Sequence, residues 1–474
     1  MLSKTKSSGG VGETRIGPRR RWGGAGLMVG GLSLAVLPLP GAGDAPPIFA
    51  IQGARVVPVA GAPVEDGVVV VRDGLIEAVG AAIPVPPDAR IVDGKGLVVY
   101  PGLIDAGSDA GLASDPTTPA APPPGTGGRR QGQVPAAGAP AGDPGLLNTF
   151  VRAADALEES GARVEACRQG GFTTVLAVPS RGLFAGQSAV LNLNGDRDTM
   201  VVRSPVAQHL SFTRTGGFGQ YPGSLMGRLA FVRQTFLDAR RHSEAWDIYR
   251  QNLRLFRRPE TSRALEALRP VADRHLPLAV PANTVPEVQR ALRLAEEQGV
   301  DLWLSGGAES GHAAAELKEK GVPVLLGLRW TERPRDPDPE DDEELEQLRR
   351  RVETAKSAGR LHAAGVEFAF ASQGASPTDF LQNVRRAVRA GLPPDAALRH
   401  LTLDAARLLG VGEQLGSLEK GKIANLVVTD GDLLKDGTRV RMVYVDGRRF
   451  DPPSPVAPAG PQRPRGKHDD EKAR

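Results

Sequence analysis

Two carboxylates follow a strongly apolar run in the first quarter of the chain. The stretch 97–112, LVVYPGLIDAGSDAGL, predicts a strand that turns sharply at a Pro-Gly pair into a second strand, and Asp105 and Asp109 lie at the end of that second strand. Paired carboxylates can act as general acid and general base, as in glycosidases, and Glu309 is a third candidate for such a pair. The alternative for Asp105 is structural, since an aspartate after a strand often accepts hydrogen bonds from the backbone amides of the following loop.

The histidines of the chain show no metal-binding spacing. Neither H-x-H nor H-E-x-x-H occurs, although catalytic Zn²⁺ needs three or more donors that converge at ~2.0–2.3 Å. His209 follows a predicted strand, close to Arg203, and is the one histidine that we expect could face a site at the strand ends. A displaced metal site would therefore need His209 together with carboxylates. The other histidines are expected on helices, before a strand or in the C-terminal tail: His242, His275, His312, His362, His400 and His468.

Nucleophilic side chains give only weak signals. Cys167 is the single cysteine, so no disulfide can form within the chain, and its position in a helical stretch predicts a small buried side chain. Ser180 and Ser188 lack the flanking small residues of a serine-hydrolase nucleophile elbow. Covalent catalysis through a cysteine or a serine therefore has little support.

The elements around these residues follow two patterns. Residues 48–92 and 418–450 are short β-branched stretches separated by turn pairs such as Asp-Gly, which predicts two groups of strands at opposite ends of the sequence. Between them, from 151 to 409, strand-like and helix-like stretches alternate. Repeated β/α units of this length favour a parallel sheet that closes on itself. We therefore predict an α/β fold with a TIM-type (β/α)8 barrel and a discontinuous β-sandwich formed by the N- and C-terminal segments.

Several of these stretches resemble the metal-dependent amidohydrolases. Residues 101–105, PGLID, are similar to the first barrel strand of that superfamily, and residues 171–175, GFTTV, to the second. Residues 416–428, GSLEKGKIANLVV, are similar to the segment that closes its β-sandwich, apart from Asn425, where aspartate is usual. The resemblance extends over roughly residues 45–452.

A further stretch points to one branch of this superfamily. Residues 219–236 resemble the third-helix region of exported, imidazolonepropionase-like members, although a capped helix with a core-facing apolar stripe would give the same pattern. The resemblance implies hydrolysis of C–N bonds other than peptide bonds, in cyclic amides and related small molecules. It also implies zinc or another divalent metal as the cofactor.

The metal-binding positions that the resemblance implies are largely occupied by residues without suitable donors. The family places two histidines on the first strand, a lysine or glutamate on the fourth, one histidine each on the fifth and sixth, and on the eighth an aspartate that activates the metal-bound water. An amide cannot act as that base, and one carboxylate is too little for tight Zn²⁺ binding. We therefore expect no metal cofactor. The corresponding residues in this chain are Gly107 and Asp109, then Pro281, then Ser305 or Gly306, and finally Gln373.

The N-terminal residues predict export to the periplasm or the extracellular space. Residues 1–43 combine six basic residues with a short apolar run and a small-residue end, which is typical of a signal peptide, with the twin-arginine route as a variant. A retained anchor is disfavoured because the apolar run is short and holds five glycines. This leader carries a net charge of +5, so the rest of the chain, at −1, gives no support for nucleic-acid binding.

Three functional hypotheses remain open at this point. The first is a catalytically degenerate homologue that binds a small molecule, pairs with a second copy or partners an active paralogue. The second is a hydrolase with altered, metal-free chemistry, and the third is a metal hydrolase with a displaced ligand set. No membrane contact is expected after removal of the leader. The predicted segments are a signal peptide at 1–43, sandwich at 44–100, barrel at 101–410 with a low-complexity insertion at 115–146, sandwich at 411–452 and a disordered tail at 453–474.

Overall fold

The computed structural model describes residues 48–113, 145–212, 222–328 and 345–452. The predicted signal peptide, nearly all of the predicted insertion and the predicted tail lie outside these ranges. None of the helices in the described ranges is long and apolar enough to cross a membrane. The strands are β1 Phe49–Val56, β2 Val64–Arg72, β3 Leu75–Gly80, β4 Arg90–Asp93, β5 Val98–Pro101, β6 Leu103–Ser108, β7 Phe172–Ala177, β8 Phe184–Gln187, β9 Ala189–Asn192, β10 Val201–Arg203, β11 Gln208–Leu210, β12 Leu278–Ala282, β13 Leu302–Gly306, β14 Val324–Gly327, β15 Phe368–Ala371, β16 Leu426–Thr429, β17 Val440–Val445 and β18 Arg448–Phe450. The helices are α1 Ala162–Gln169, α2 Leu225–Gln251, α3 Arg263–Glu266, α4 Arg269–Ala272, α5 Val285–Gln298, α6 Ala314–Glu319, α7 Leu345–Ala363, α8 Pro377–Arg389, α9 Pro394–His400 and α10 Leu403–Leu408.

The two terminal segments form one eight-stranded sheet. Its order is β18-β17-β16-β5-β1-β2-β3, with β4 also paired to β1. The joint between the segments is the antiparallel pairing of β5 with β16, in which Tyr100 lies opposite Val427. Side chains on one side form a buried cluster that includes Ile51, Val69 and Leu426. Strands from opposite ends of the sequence therefore share one core, in a single continuous ladder rather than two separate sheets.

The central part of the chain forms two further sheets. One has four strands in the order β10-β9-β7-β6, and the other has six in the order β15-β14-β13-β12-β11-β8. Strands β11 to β15 are parallel, each one paired with the next, as expected for β/α units. The central strands thus form two separate hydrogen-bonded sheets, and the predicted closed (β/α)8 barrel is not confirmed.

The parallel strands bury both of their faces. Val280 and Leu304 belong to the large hydrophobic cluster that includes the buried side of α5. Leu325 and Ala369, which point the other way from their strands, belong to a second cluster that also contains Ile104 of β6. Successive side chains of a strand alternate between its two faces. The side chains that face this second cluster are therefore also the ones that reach the edge of the cluster where the strands end.

A buried polar network joins the terminal sheet to the four-stranded sheet. Asn425 donates from Nδ2 to Oδ1 of Asn192 at 3.0 Å and to Oγ1 of Thr174 at 3.1 Å. Its Oδ1 accepts from the backbone N–H of Asp446 at 2.9 Å, and Asp446 in turn accepts from Asn192 at 2.7 Å. Burial raises the pKa of the Asp446 carboxyl. The asparagine at position 425 suits this network because an aspartate could not donate to the two acceptors.

Two predicted helices are shorter than their sequence patterns indicate. The helical spacing across 151–169 gives only a 3-10 turn at Ala153–Asp155 and the helix α1. The helical spacing across 395–409 indicates one continuous helix, but the chain breaks there into α9 and α10 at Leu401 and Thr402. There, the backbone carbonyl of Leu401 accepts from the N–H of Ile104 at 2.8 Å, and this contact with β6 replaces a helical hydrogen bond.

Candidate functional site

Asp105 and Gln373 meet where β6 lies beside the end of β15. The Oδ1 atom of Asp105 accepts from the backbone N–H of Ser372 at 2.8 Å and from that of Gly107 at 3.1 Å. The N–H of Gln373 donates to the carbonyl of Gly107 at 2.9 Å. Asp105 is 2% exposed, and burial raises the pKa of its carboxyl despite these hydrogen bonds. The predicted bracing role of Asp105 is thus confirmed by its partners, and its carboxylate has no open side toward solvent.

Gln373 holds its amide over the end of the neighbouring strand. Its backbone has a φ of 50°, which is uncommon for a residue other than glycine. Position 327 at the end of β14 is a glycine, and a Cβ there would lie 2.7 Å from Nε2 of Gln373 and closer still to Oε1. The side chain of Gln373 therefore occupies the space above Gly327. An amide in this place can donate and accept hydrogen bonds but cannot take up a proton at neutral pH.

Asp109 faces away from a shared site and toward α1. Its carboxylate forms an ion pair with the guanidinium of Arg163, and the two side chains are 45% and 60% exposed. Screening by solvent leaves such an exposed pair with a small energetic effect. The carboxylate predicted as the remaining possible metal ligand is therefore already paired with a cation on a helix.

Glu309 lies after β13 and is held by two other elements. Its Oε2 atom accepts from the backbone N–H of Val285 at 3.1 Å, at the first residue of α5. Its Oε1 atom lies 3.4 Å from Nε of Arg350 on α7. A carboxylate at a helix N-terminus is favoured by the helix dipole. Both partners fix Glu309 in a structural position that links α5 to α7.

His209 is buried and paired with a serine. It is 3% exposed, and its Nε2 lies 2.9 Å from Oγ of Ser188. Burial lowers the pKa of His209 to about 4, so the ring is neutral at physiological pH. The Ser188 hydroxyl also lies 3.3 Å from the carbonyl of Ala207 and is itself fully buried. A Ser–His contact of this kind resembles a nucleophile and base, but a substrate could not reach it in this conformation.

His400, its neighbour His362 and Cys167 have structural surroundings. His400 is buried, stacked on Phe368, with Nδ1 3.0 Å from the Phe368 carbonyl and Nε2 3.3 Å from Nδ1 of His362. Burial lowers the pKa of His400 to about 4. Cys167 is buried, which raises the pKa of its thiol to about 12 and leaves it unreactive. The prediction of a small buried side chain for Cys167 is confirmed.

These positions do not converge on a metal site within the described part of the chain. No group of three or more His, Cys, Asp or Glu side chains there could hold a metal ion. The segments outside it at 114–144, 213–221 and 329–344 contain neither histidine nor cysteine. Asp105 and Gln373 lie together, whereas Asp109, Glu309 and His209 each have separate partners. The two histidine positions implied at Pro281 and Ser305 lie opposite each other in the β12–β13 ladder, and proline has no donor atom in its side chain.

A small cavity opens at the C-terminal ends of β11 and β12. Its volume is about 230 Å³. The cavity lies between α2 and α5, and Pro281 contributes to its wall. Arg290 of α5 also lines it and makes no hydrogen bond or ion pair with any other described residue. This arginine is not recognisable as a site residue from the sequence, because a single arginine on a helix carries no motif. Its apolar lining includes Leu210, Phe212, Leu225, Leu229 and Leu294, and its polar lining includes Ser211, Asn283, Glu287 and Arg290.

Two substitutions of Asp105 should distinguish the effect of its hydrogen bonds on the free energy of unfolding from the effect of its charge. Asp105→Ala is expected to lower the free energy of unfolding by about 2 kcal/mol, because the buried N–H of Ser372 and the partly buried N–H of Gly107 lose their acceptor. Asp105→Asn keeps an Oδ1 acceptor and should stay within about 1 kcal/mol of the wild type. Since the folded-state pKa is raised, the stabilisation by the protonated carboxyl is present at low pH and lost as pH rises through that pKa. Denaturant unfolding at acidic and neutral pH measures both effects.

An exposed aspartate with a similar contact provides the control. Asp93 also accepts a hydrogen bond from a backbone N–H two residues later, that of Lys95 at 3.1 Å. Asp93→Ala should therefore change stability by less than about 0.5 kcal/mol, as is usual for surface substitutions. Equal losses for the two alanine variants would contradict the bracing role of Asp105.

Comparisons with known proteins agree with this architecture. The sequence profile of the Amidohydrolase family matches residues 290–450. Amidohydrolase tasK from Hapsidospora irregularis is 25% identical over 419 residues, and the match covers 82% of this chain. This chain spans about 40% of the length of that curated relative. The crystal structure of an amidohydrolase from Thermotoga maritima MSB8 superimposes with a TM-score of 0.69 at 26% identity, covering 85% of this chain and 100% of the other.

The matches involve both parts of the fold. The family profile extends from within α5 through the parallel strands β13, β14 and β15 to β18, and the Thermotoga maritima structure aligns along its whole length. This chain belongs to the amidohydrolase superfamily.

Proposed function

We propose that this protein is an exported, imidazolonepropionase-like member of the superfamily that has lost the divalent-metal site and binds a small organic anion. The observation that carries the proposal is the chemistry of the strand ends. Gly107 and Pro281 offer no side-chain donor, Gln373 offers an amide, and Asp109 is paired with Arg163. These residues do not fit a catalytic zinc, which requires three protein donors and an open position.

In this proposal, the two central sheets are parts of one barrel whose ring of interstrand hydrogen bonds is interrupted between the sheets. Two observations support this. The N–H of Gln373 donates to the Gly107 carbonyl, next to the edge where β15 lies beside β6. On the other side, the chain passes from β8 in one sheet to β9 in the other through the single residue Ser188. A barrel places its functional residues at the C-terminal strand ends, which is where the cavity lies.

The cavity supports an anionic ligand of modest size. Glu287 uses its carboxylate in a capping box, accepting from the N–H of Thr284 at 3.1 Å and of Asn283 at 2.7 Å. Its neighbour Arg290 remains without a partner among the described residues, so the lining offers an unpaired positive charge. Apolar side chains form most of the rest of the wall, together with Ser211 and Asn283. A carboxylate on an apolar body would satisfy both, because a guanidinium binds carboxylates with a matching geometry.

Metal analysis of the purified protein tests the first half of the proposal. We expect far less than one equivalent of zinc, iron or manganese per chain, and no change in thermal unfolding on addition of a chelator or of Zn²⁺. The reason is that a bound metal would stabilise the folded state in proportion to its affinity. About one metal ion per chain, together with an amidase activity that chelation abolishes, would overturn the proposal.

Binding of phenylacetate tests the second half. Phenylacetate is expected to raise the unfolding temperature, whereas its neutral isostere phenylacetamide is not. Arg290→Met should weaken phenylacetate binding by about tenfold or more, the loss expected for a charge-assisted hydrogen bond. Arg293→Met, an exposed position on the same helix, removes the same charge and should leave binding unchanged. Equal binding of acid and amide, or equal effects of the two variants, would contradict an anion site in this cavity.

A further inference from the structure

The last three turns of α2 extend beyond the core. The helix has 27 residues, and its buried side chains all lie between Leu229 and Ala239. No described residue from 240 to 258 is buried. At 1.5 Å per residue, the part of the helix after Ala239 spans ~18 Å. It carries the turn that follows it away from the central sheets, packed on one side by Trp246 against the chain near Glu260.

The turn at the end of this helix exposes large apolar side chains. Ile248 is 47% exposed, Leu253 63%, Leu255 71% and Phe256 44%. The turn has a defined backbone, because Oδ1 of Asn252 accepts from the N–H groups of Arg254 and Leu255, both at 3.2 Å. Scattered exposed leucines are ordinary, but a group of four on one short projection marks an interaction surface. We call residues 248–258 the α2 tip.

The α2 tip is also strongly basic. It contains four arginines, at 250, 254, 257 and 258, and no acidic residue. Arg250 and Arg258 lie over the Trp246 ring, each 5.6 Å from its centroid, and Arg250 is paired with Asp247 at 3.0 Å. Arg254 and Arg257 are exposed and make no ion pair with the described residues. The projection therefore combines unpaired positive charge with exposed hydrocarbon.

We propose that the α2 tip docks this protein on an anionic lipid bilayer, with Leu253, Leu255 and Phe256 entering the interface and Arg254 and Arg257 contacting lipid phosphates. A projecting turn fits a deformable surface better than a rigid groove, and apolar side chains flanked by arginines are the composition of interfacial segments. The earlier expectation of no membrane contact rested on the lack of a spanning segment, which surface docking does not require. This proposal is independent of the cavity and its ligand.

Co-sedimentation of the full chain with vesicles tests the proposal. Vesicles of phosphatidylcholine alone are compared with vesicles of seven parts phosphatidylcholine to three parts phosphatidylglycerol. We expect binding to the anionic vesicles, weakened several-fold when salt rises from about 0.1 M to about 0.5 M. Leu253→Ser, Leu255→Ser and Phe256→Ser together should reduce the partition coefficient at least about tenfold, and Arg254→Gln with Arg257→Gln about fivefold.

Matched variants control for changes in hydrophobicity and charge elsewhere. Leu345→Ser, Leu348→Ser and Val352→Ser remove three apolar side chains of α7 that are 62%, 43% and 53% exposed. Arg241→Gln with Arg293→Gln removes two charges from exposed positions. All variants carry the same leader, so its contribution to vesicle binding cancels. Each control should stay within about twofold of the wild type, and unchanged unfolding temperatures would show that the tip variants are folded.

Two results would overturn the proposal. The first is equal binding of the tip variants and their controls to anionic vesicles. The second is binding to neither vesicle combined with a tip-dependent shift in the molecular mass measured by light scattering, which would assign the α2 tip to contact between protein chains. The two sets of tip variants distinguish the electrostatic from the apolar contribution to vesicle binding. Replacing the arginines should abolish the salt dependence of binding. Replacing the apolar side chains by serine should weaken binding at every salt concentration.

Discussion

Gly102→Ala is expected to lower the free energy of unfolding by about 3 kcal/mol or more. A Cβ at this position would lie 2.6 Å from Cγ2 and 2.8 Å from Cβ of Thr173, and closer still to its Oγ1. Thr173 is fully buried in β7, and the N–H of Gly102 is fixed by a hydrogen bond to the carbonyl of Asn425 at 2.8 Å. Neither side can move away, so the added methyl group must distort the packing of β5, β6 and β7.

Denaturant unfolding of three variants measures this effect. Gly61→Ala is the control, because a Cβ at Gly61 would meet nothing within 4 Å. Thr173→Ala combined with Gly102→Ala removes Oγ1 and Cγ2 and should recover about half of the loss, which keeps the prediction testable if the single variant is insoluble. Equal stability of Gly102→Ala and Gly61→Ala would show that the Pro-Gly pair of the first-strand motif has no packing role.

Mild acid is expected to destabilise the protein through two buried histidines. His209 and His400 both have pKa values lowered by burial to about 4, against ~6.5 in an unfolded chain. A depressed folded-state pKa means that the unfolded state binds protons first. The stability that each neutral histidine contributes is therefore complete above pH ~6.5 and is lost as pH falls toward 4. At pH ~5 the loss is about 2 kcal/mol per histidine, or about 4 kcal/mol for both.

Substitution by glutamine isolates this contribution. His209→Gln and His400→Gln remove the titrating group while keeping a polar side chain of similar length. Each should lose stability at pH ~7 but show a shallower fall of unfolding free energy between pH ~7 and ~5 than the wild type, by about 2 kcal/mol. Buried Asp105 and Asp446 change in the opposite direction, since their pKa values are raised, and they are common to all variants. A slope unaffected by either buried substitution would contradict the prediction.

Much of the fold was predictable from local patterns. The PGLID and GSLEKGKIANLVV stretches predicted that distant strands belong to one superfamily scaffold, and β5 and β16, which lie in or beside them, pair directly. The parallel strands from β12 onward followed from alternation of apolar and helical stretches. The errors lie where tertiary contacts override helical spacing: before α1, and at the break between α9 and α10, where Leu401 accepts a hydrogen bond from β6.

The candidate site was predictable only in part. The identity of Gly107 and Pro281 excludes side-chain donor atoms at those positions, and the amide of Gln373 excludes a general base there, without any coordinates. The partners of the remaining candidates were not predictable, because Asp109 meets Arg163 across 54 positions and His209 meets Ser188 across 21. Asp105 was correctly interpreted as a brace, but its second donor, Ser372, lies 267 positions away. Such partners depend on chain topology and leave no periodic signal.

The sequence by itself determined the superfamily and which side chains stand at the positions where the resemblance implies metal ligands, because side-chain identity alone decides whether a donor atom or a base exists at a position. Only the tertiary structure decided which polar side chains have a hydrogen-bond or ion-pair partner among the described residues and which have none. Burial and hydrogen bonds between residues that are distant in the sequence hold Asp105, His209 and Glu309 against structural partners. The same folding leaves Arg290 in a cavity and the α2 tip exposed, since which side chains lie next to each other depends on how helices pack and not on their order along the chain.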